Sequence, residues 1–247
     1  IWPAGIALDS DENVYVTDEW LNRVSVWDSD GNFLTLWGTA GQGDGEFDRP
    51  SGIAIDGEDN LYIVDSVSHR IQKLTKDGTF LAKWGSFGGE EGQFNAPWGI
   101  DVDEQGNVYV ADWRNHRIQK FNAEGKFLMK FGEAGDGDGE FNRPSGVAVD
   151  QEGYIYVVDW GNDRVQGFDP QGGFVTKFIG DAGLSKWGVD RLAANPENML
   201  GARQQAKSLD PEKRFFHPVG IEVDSENRII VVDCGRHRLQ IYQKVSG

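Results

Sequence analysis

The chain has 247 residues, of which 38% are hydrophobic and 12% aromatic. This composition is sufficient for a packed core and argues against disorder. Its formal net charge of −16 argues against binding to nucleic acid or anionic membranes, since both are bound mainly through basic patches. The single cysteine, Cys234, excludes an intrachain disulfide and a cysteine-based zinc site.

A repeat organises the chain from its first residues. The copies begin near residues 3, 50, 97, 144 and 218, at Pro3, Pro50, Pro97, Pro144 and Pro218, and the first four prolines are spaced by 47 residues. A fixed period of this length is typical of repeat architectures. We therefore interpret residues 1–247 as a single domain.

Each copy contains four short segments with the pattern of β-strands. In the second copy these are residues 52–56, 60–65, 70–74 and 80–84, separated by turn-like sequences rich in Asp, Asn and Gly. The third segment alternates apolar and polar residues, as a half-buried strand does. Four antiparallel strands in each of several copies predict an all-β fold, a β-propeller with one four-stranded sheet in each blade.

The fourth copy is interrupted before the fifth begins. Residues 181–214 have a composition compatible with helix, and Asn195-Pro196 has the form of a helix start. We predict a short helical insertion lying on one face of the propeller. The sequence contains five copies of the first three strands but four of the last, which leads to the hypothesis of a six-bladed parent.

A matched aspartate and arginine flank the loop between the second and third strands of every copy. The two residues are five positions apart, so they can reach each other as an ion pair. A charged pair that recurs in every blade is interpreted as a structural brace for the loop. The pairs are Asp18–Arg23, Asp65–Arg70, Asp112–Arg117, Asp159–Arg164 and Asp233–Arg238.

The repeated pattern resembles a known family. Pro-x-Gly-Ile-Ala-x-Asp, Asn-x-Tyr-Val-x-Asp and a following Arg-Ile-Gln-x-Phe are similar to the NHL repeat, which residues 97–131 match nearly throughout. The resemblance implies a propeller, usually six-bladed, whose functional face carries the loops that enter the first strand and join the second to the third. Such propellers serve as RNA-binding or protein-binding modules, as sensor domains of bacterial kinases and as the peptide-amidating lyase.

The histidines and two acids are the candidate metal ligands. His69, His116 and His237 occupy one repeat position, which separates them by at least a blade width, so we interpret them as structural. Asp101 and Glu222 replace an alanine of the innermost strand. Carboxylates there suggest Ca²⁺ as the one possible cofactor, although two carboxylates make an incomplete set of ligands.

Tryptophan and arginine supply the candidate binding residues. Trp20, Trp113 and Trp160 fall in the loop after the matched aspartate, and Trp98 follows the first-strand proline. If these loops share a face, the aromatic side chains form one surface with interface composition; the alternative is packing between blades or beneath the insertion. The full candidate set is Trp20, Trp98, Trp113, Trp160, Arg49, Arg114, Arg143, His217 and, in the insertion, Trp187.

Two interpretations of function follow. The first is a non-enzymatic binding or scaffold propeller that recognises a protein, peptide or glycan on this face, without nucleic-acid binding or membrane insertion. The alternative is a metal-dependent lyase or hydrolase of the six-bladed propeller type, similar to the peptide-amidating lyase or to gluconolactonase. The chain begins at Ile1, so the localisation is unknown, with an extracytoplasmic or secreted protein slightly favoured.

Overall fold

The computed structural model describes residues 2–180 and 213–244. They form five antiparallel sheets, four with four strands and one with three, in which strands adjacent in sequence are also neighbours in the sheet. The first blade contains β1 (Pro3–Leu8), β2 (Val14–Asp18), β3 (Arg23–Trp27) and β4 (Phe33–Trp37). A short parallel pair, β5 (Thr39–Ala40) and β6 (Glu46–Phe47), leads to the second blade, which contains β7 (Pro50–Ile55), β8 (Leu61–Asp65), β9 (Arg70–Leu74) and β10 (Phe80–Trp84).

The remaining three blades repeat this order. The third contains β11 (Ile100–Val102), β12 (Val108–Asp112), β13 (Arg117–Phe121) and β14 (Phe127–Phe131). The fourth contains β15 (Pro144–Val149), β16 (Ile155–Asp159), β17 (Arg164–Phe168) and β18 (Phe174–Phe178). The fifth contains β19 (Pro218–Val223), β20 (Arg228–Asp233) and β21 (Arg238–Gln243). Short 3₁₀ turns at Trp113–Asn115, Trp160–Asn162 and Cys234–Arg236 join the second and third strands of these blades.

The sheets are arranged as the blades of a propeller. The first strands of successive blades lie next to one another, β1 beside β7, β7 beside β11, β11 beside β15 and β15 beside β19. This confirms the all-β propeller of four-stranded blades. The predicted helical insertion lies outside the described residues except for Lys213 and Arg214, and Trp187 lies outside them. Both stay predictions.

The hydrophobic core is divided into layers between blades. Between the second and third blades, Tyr62, Phe94 and Phe121 are fully buried, with Trp84 packed against them. The turn glycine Gly125 of the third blade adopts φ +79° and lies directly on the indole of Trp84. Such a layer needs two sheets, so no blade buries its apolar surface alone.

Two apolar sheet faces lack this cover among the described residues. Ile6 of the first blade is 68% exposed, whereas its repeat equivalent Ile53 is 6% exposed. Leu239 of the fifth blade is 60% exposed, whereas Ile71 at the same repeat position is completely buried. These faces belong to the first and last blades, each of which packs against one described neighbour.

Candidate binding face

A buried aspartate at the end of the second strand holds two neighbouring loops together. In the second blade, Asp65 Oδ1 accepts the backbone N–H of Asp48 at 2.7 Å, and Oδ2 accepts Nε of Arg70 at 2.8 Å. The backbone N–H of Ser66 donates to the carbonyl of Arg49 at 3.3 Å. The segment entering the first strand and the loop from the second strand to the third therefore lie on the same face.

The arginine of this brace is also enclosed by the loop that precedes its blade. The guanidinium of Arg70 donates to the carbonyl oxygens of Gln42, Gly43 and Glu46 at 2.7, 2.9 and 3.0 Å. Burial raises the pKa of the Asp65 carboxyl, and its N–H donors and Arg70 act in the opposite direction. Equivalent ion pairs occur at Asp112–Arg117, Asp159–Arg164 and Asp233–Arg238.

The first blade departs from this pattern, and the expected ion pair between Asp18 and Arg23 is wrong. Asp18 Oδ1 accepts the backbone N–H groups of Trp2, Trp20 and Leu21. Nε of Arg23 is buried and has no hydrogen-bond partner in the part of the chain that the structure describes. In the second to fifth blades, carbonyls of the preceding loop hold the guanidinium beside the aspartate, and the described residues contain no such loop before Asp18.

A second contact joins each blade to the next on the same face. In the second to fifth blades, the residue before the first-strand proline adopts a positive φ between 50° and 59°, which is uncommon for residues other than glycine. Its N–H points to the side chain that precedes the third strand of the previous blade. The donor and acceptor residues are Arg49 and Asn22, Ala96 and His69, Arg143 and His116, and His217 and Asp163, at 2.7, 3.0, 3.3 and 2.7 Å.

This contact, which we call the interblade latch, gives His69 a structural role. His69 Nδ1 accepts the N–H of Ala96, which requires a neutral imidazole with an unprotonated Nδ1. Burial and the positive charge of Arg114 lower the pKa of His69. The imidazole is thereby kept in the form that the latch requires.

Aromatic side chains lie in a continuous line across the third, fourth and fifth blades. The ring centroids of Trp113 and Trp160 are 6.3 Å apart. The imidazole of His217 stacks on Trp160, with centroids 5.2 Å apart and planes inclined by 24°. Phe216, 42% exposed, contacts His217 at 4.2 Å. We call these four residues the aromatic strip.

Arginine side chains flank this strip. Cζ of Arg143 lies 5.0 Å and Cζ of Arg114 lies 5.6 Å from the ring centroid of Trp113. Cζ of Arg236 lies 5.3 Å from the ring of Phe216. Arginine over an aromatic ring is a favourable cation–π arrangement. The strip and these three arginines together form the aromatic–arginine surface.

Four residues of this surface, Trp113, Trp160, Arg143 and His217, occupy two repeat positions that vary among blades. One directly follows the matched aspartate, and the other precedes the first-strand proline of the next blade. The residues at these positions are Glu19 and Arg49, Ser66 and Ala96, Trp113 and Arg143, and Trp160 and His217. Glu19 and Arg49 form an ion pair at 3.6 Å. The blade architecture is thus compatible with charged, small or aromatic residues at these junctions.

Several predicted site residues lie apart from this surface. Trp20 is the second residue after its aspartate, whereas Trp113 and Trp160 are the first after theirs. It is 71% exposed and makes no ring contact with a described residue. Trp98 is half-buried, and its carbonyl accepts the N–H of Gly52 and the hydroxyl of Ser51, both at 2.9 Å.

Sequence reasoning missed two residues of the surface, Phe216 and Arg236, and the latch role of Asp163. Phe216 stands where the second, third and fourth blades carry Asp48, Asn95 and Asn142. An aromatic residue among polar equivalents was a usable signal. Arg236 and Asp163 carried no comparable signal, because their roles depend on contacts between blades.

The two acids of the innermost strands are engaged with the backbone. Asp101 accepts the N–H of Val102 on Oδ1 and the N–H of Val149 on Oδ2, both at 2.8 Å. Burial and the negative charge of Glu222 raise the pKa of Asp101 to about 8, and burial raises the pKa of Glu222.

The described residues give no support to Ca²⁺ at these acids. The described part of the chain contains no group of three or more His, Cys, Asp and Glu side chains placed to hold a metal ion. Calcium takes about six to eight oxygen ligands. Asp101 and Glu222 alone do not supply that many oxygen ligands.

The fold and its loop face define a β-propeller with a candidate binding surface. The NHL repeat family matches residues 94–121, 141–168 and 215–242, and a family described as a 6-bladed beta-propeller matches residues 6–82. The chain thus contains NHL repeats and folds as a β-propeller. A comparison with curated proteins gives no match.

Solved structures with the same fold have diverse roles. Virginiamycin B lyase from Staphylococcus aureus is 15% identical over 99% of this chain and 71% of its own, with a TM-score of 0.62. A chain of the nidogen/laminin complex is 20% identical over 98% of this chain and 80% of its own, with a TM-score of 0.62. A streptogramin B lyase is 16% identical over 99% of this chain and 69% of its own, with a TM-score of 0.59. At these identities the likeness concerns the fold alone.

The described residues also include no helix that is both long and apolar enough to cross a membrane.

Proposed function

We propose that this chain is a non-enzymatic binding propeller whose aromatic–arginine surface holds a segment of a protein partner. The observation that carries the proposal is the continuous contact of Trp113, Trp160 and His217 across three blades. Tryptophan and arginine are enriched among the residues that dominate binding energy at protein interfaces. The exposed Phe216 extends the same surface by an apolar side chain.

Comparison between blades supports a role for these residues beyond folding. The junction of the second and third blades carries Ser66 and Ala96 at the same two positions and still forms the latch between Ala96 and His69. The propeller therefore does not need tryptophan at these positions. A binding role is then the simplest physical explanation for large, partly exposed aromatic residues at this junction.

A protein segment suits the surface better than a glycan. A sugar ring stacks on an uncovered aromatic face, but the indole of Trp160 carries the imidazole of His217 on one face. The ring of Trp113 is contacted by the guanidinium groups of Arg114 and Arg143. The surface instead presents ring edges, N–H donors and the exposed Phe216. The N–H donors suit the backbone carbonyls of a peptide, and the aromatic groups suit its side chains.

The enzymatic alternative has no specific observation in its favour. The lyases of similar structure share the propeller with this chain, and a fold hosts many unrelated functions. The described residues offer no ligand set from which a metal-dependent mechanism can be built. We therefore develop the binding proposal.

Selection from a random peptide library displayed on phage tests this proposal. Peptides are selected on the immobilised chain and then measured against the double variant Trp113→Ala/Trp160→Ala. We expect at least about tenfold weaker binding by the double variant, because truncating a binding hot spot costs roughly 2 kcal/mol or more. The matched control is Trp20→Ala, which removes an exposed tryptophan that lies outside the strip and should change affinity less than about twofold.

Two results would contradict the proposal. One is a set of selected peptides that bind the double variant as tightly as the unaltered chain. The other is a selection that yields no binding peptide, with a glycan array giving ligands that depend on Trp113 and Trp160. Thermal unfolding of each variant shows whether the fold is intact before its affinity is interpreted.

A further inference from the structure

Two positively charged side chains of the surface rest on the same indole without an acidic partner. Arg114 follows Trp113 in the turn of the third blade, and Arg143 precedes the first strand of the fourth. Both are exposed, and neither forms an ion pair with a described residue. Like charges held close together repel each other, so this arrangement lacks the counter-charge that would stabilise it.

The equivalent arginine of the second blade does have such a partner. Arg49 occupies the repeat position of Arg143, and its guanidinium lies 3.6 Å from Glu19. Glu19 in turn occupies the repeat position of Trp113. At the junction of the third and fourth blades the acid is thus replaced by an aromatic ring, although the chain carries 40 acidic residues.

The chemistry of the guanidinium group indicates what would complete this arrangement. A guanidinium that lies over an aromatic ring keeps its N–H groups at the edge of the plane, where they are free to donate. A carboxylate accepts two such bonds in parallel from one arginine. Such charge-assisted hydrogen bonds are stronger than bonds between neutral groups. Arg114 and Arg143 therefore form a local carboxylate-binding element.

We infer that the aromatic–arginine surface recognises an acidic segment of a protein partner, whose Asp or Glu carboxylates pair with Arg114 and Arg143. This inference rests on the proposed function and specifies its partner. The chain as a whole carries a net charge of −16, which opposes the approach of an acidic partner at long range. Recognition of an acidic segment on such a protein requires a local positive site, and these two arginines provide one.

The test compares an acidic peptide with its uncharged counterpart. The probe is a fluorescein-labelled acidic peptide taken from the phage selection, together with the same peptide in which every Glu is changed to Gln and every Asp to Asn. Fluorescence anisotropy gives the affinity of each for the full chain and for Arg114→Gln/Arg143→Gln. We expect the double variant to bind the acidic peptide at least about tenfold more weakly, because hydrogen bonds to charged groups are lost.

Two further measurements sharpen this expectation. The uncharged peptide should bind the unaltered chain and the double variant with the same affinity, since it has no carboxylate to lose. Arg49→Gln is the matched control, because Arg49 is already paired with Glu19. It should leave the affinity for the acidic peptide within about twofold of the original.

The outcomes separate this inference from the proposed function. If peptides that depend on Trp113 and Trp160 show no excess of acidic residues and bind Arg114→Gln/Arg143→Gln unchanged, the inference is overturned and the proposed function stands. If no peptide depends on the two tryptophans, the proposed function itself fails. If heparin binds through the two arginines more tightly than the acidic peptide does, the anion is a sulfated glycan and the inference is overturned.

Discussion

The backbone N–H of His217 donates to Asp163 Oδ1 at 2.7 Å, so the residue that stacks on Trp160 is also fastened to the loop that contains Trp160. His217 Nδ1 lies 3.6 Å from the same carboxylate oxygen. Equivalent latches join the other successive blades through Asn22, His69 and His116. A repeated structural contact thus fixes the position of a side chain whose identity varies among blades.

The first prediction concerns Asp163. In Asp163→Ala the N–H of His217 loses its acceptor, and we expect the free energy of unfolding to fall by about 1 kcal/mol. We also expect weaker binding of the peptides that contact the aromatic strip, because His217 is no longer held on Trp160. Denaturant unfolding and anisotropy measure the two effects. Asp163→Asn is the control, since asparagine forms the same latch at Asn22; an equal loss in both variants would contradict the role of the latch.

The second prediction concerns the pH dependence of stability at His69. Its pKa is lowered from 6.5 in the folded protein, so the unfolded chain binds a proton more readily than the folded chain does. The contribution of His69 is therefore complete above pH 6.5 and is lost as the pH falls below that value through the folded pKa. We expect His69→Asn to make the thermal midpoint less dependent on pH between about 7 and 5 than in the unaltered chain. An unchanged dependence in His69→Asn would refute this assignment.

The blade architecture was predictable from sequence because its causes are local. Apolar alternation and turn glycines recur in every copy, so the spacing of Gly31, Gly78 and Gly125 alone indicates where turns separate strands. The aromatic strip was only partly predictable. Trp113, Trp160 and His217 were among the candidate residues, but their contacts depend on the distance between blades, which sequence spacing does not give.

The failure at Asp18 and Arg23 has a similar cause. The five-residue spacing is the same as in Asp65 and Arg70, and it permits an ion pair in both cases. The carbonyl groups of the preceding loop enclose Arg70, whereas the segment that would precede the first blade lies outside the described residues. Local spacing therefore shows that a contact is possible, and not that it forms.

The third prediction concerns the brace of the fourth blade. Arg164 is 6% exposed and pairs with the fully buried Asp159 at 2.7 Å. Arg164→Ala leaves a buried carboxylate without its cation, and we expect a loss of about 3–5 kcal/mol in the free energy of unfolding. Lys177→Ala is the control, because Lys177 pairs with Asp138 in solvent and should cost less than about 1 kcal/mol. Similar losses in both variants, measured by urea unfolding, would contradict the brace.

The fourth prediction concerns the buried carboxyl of Asp101. Its pKa is raised from 3.8 to about 8, so the folded chain holds a proton that the unfolded chain releases. The stability that depends on this proton is complete below pH 3.8 and is lost as the pH rises through the folded pKa. We expect Asp101→Asn to reduce the fall in stability between about pH 5 and pH 9. Asp30→Asn, at an exposed position, should leave that fall unaltered; a fall of the same size in Asp101→Asn would contradict the raised pKa.

The fifth prediction separates backbone strain from packing at two equivalent turn glycines. Gly31 adopts φ +83° and Gly125 adopts φ +79°, so alanine strains the backbone at both by about 1 kcal/mol. A Cβ at Gly31 would meet no atom of the described residues within 4 Å, whereas a Cβ at Gly125 would meet Trp84 Cδ2 at 2.5 Å. Gly125→Ala must therefore also displace the indole from the core layer between the second and third blades, at an additional cost of about 1–3 kcal/mol. Denaturant unfolding of the two variants measures this difference directly, and equal losses would mean that contact between Gly125 and Trp84 adds nothing to the packing of the blades.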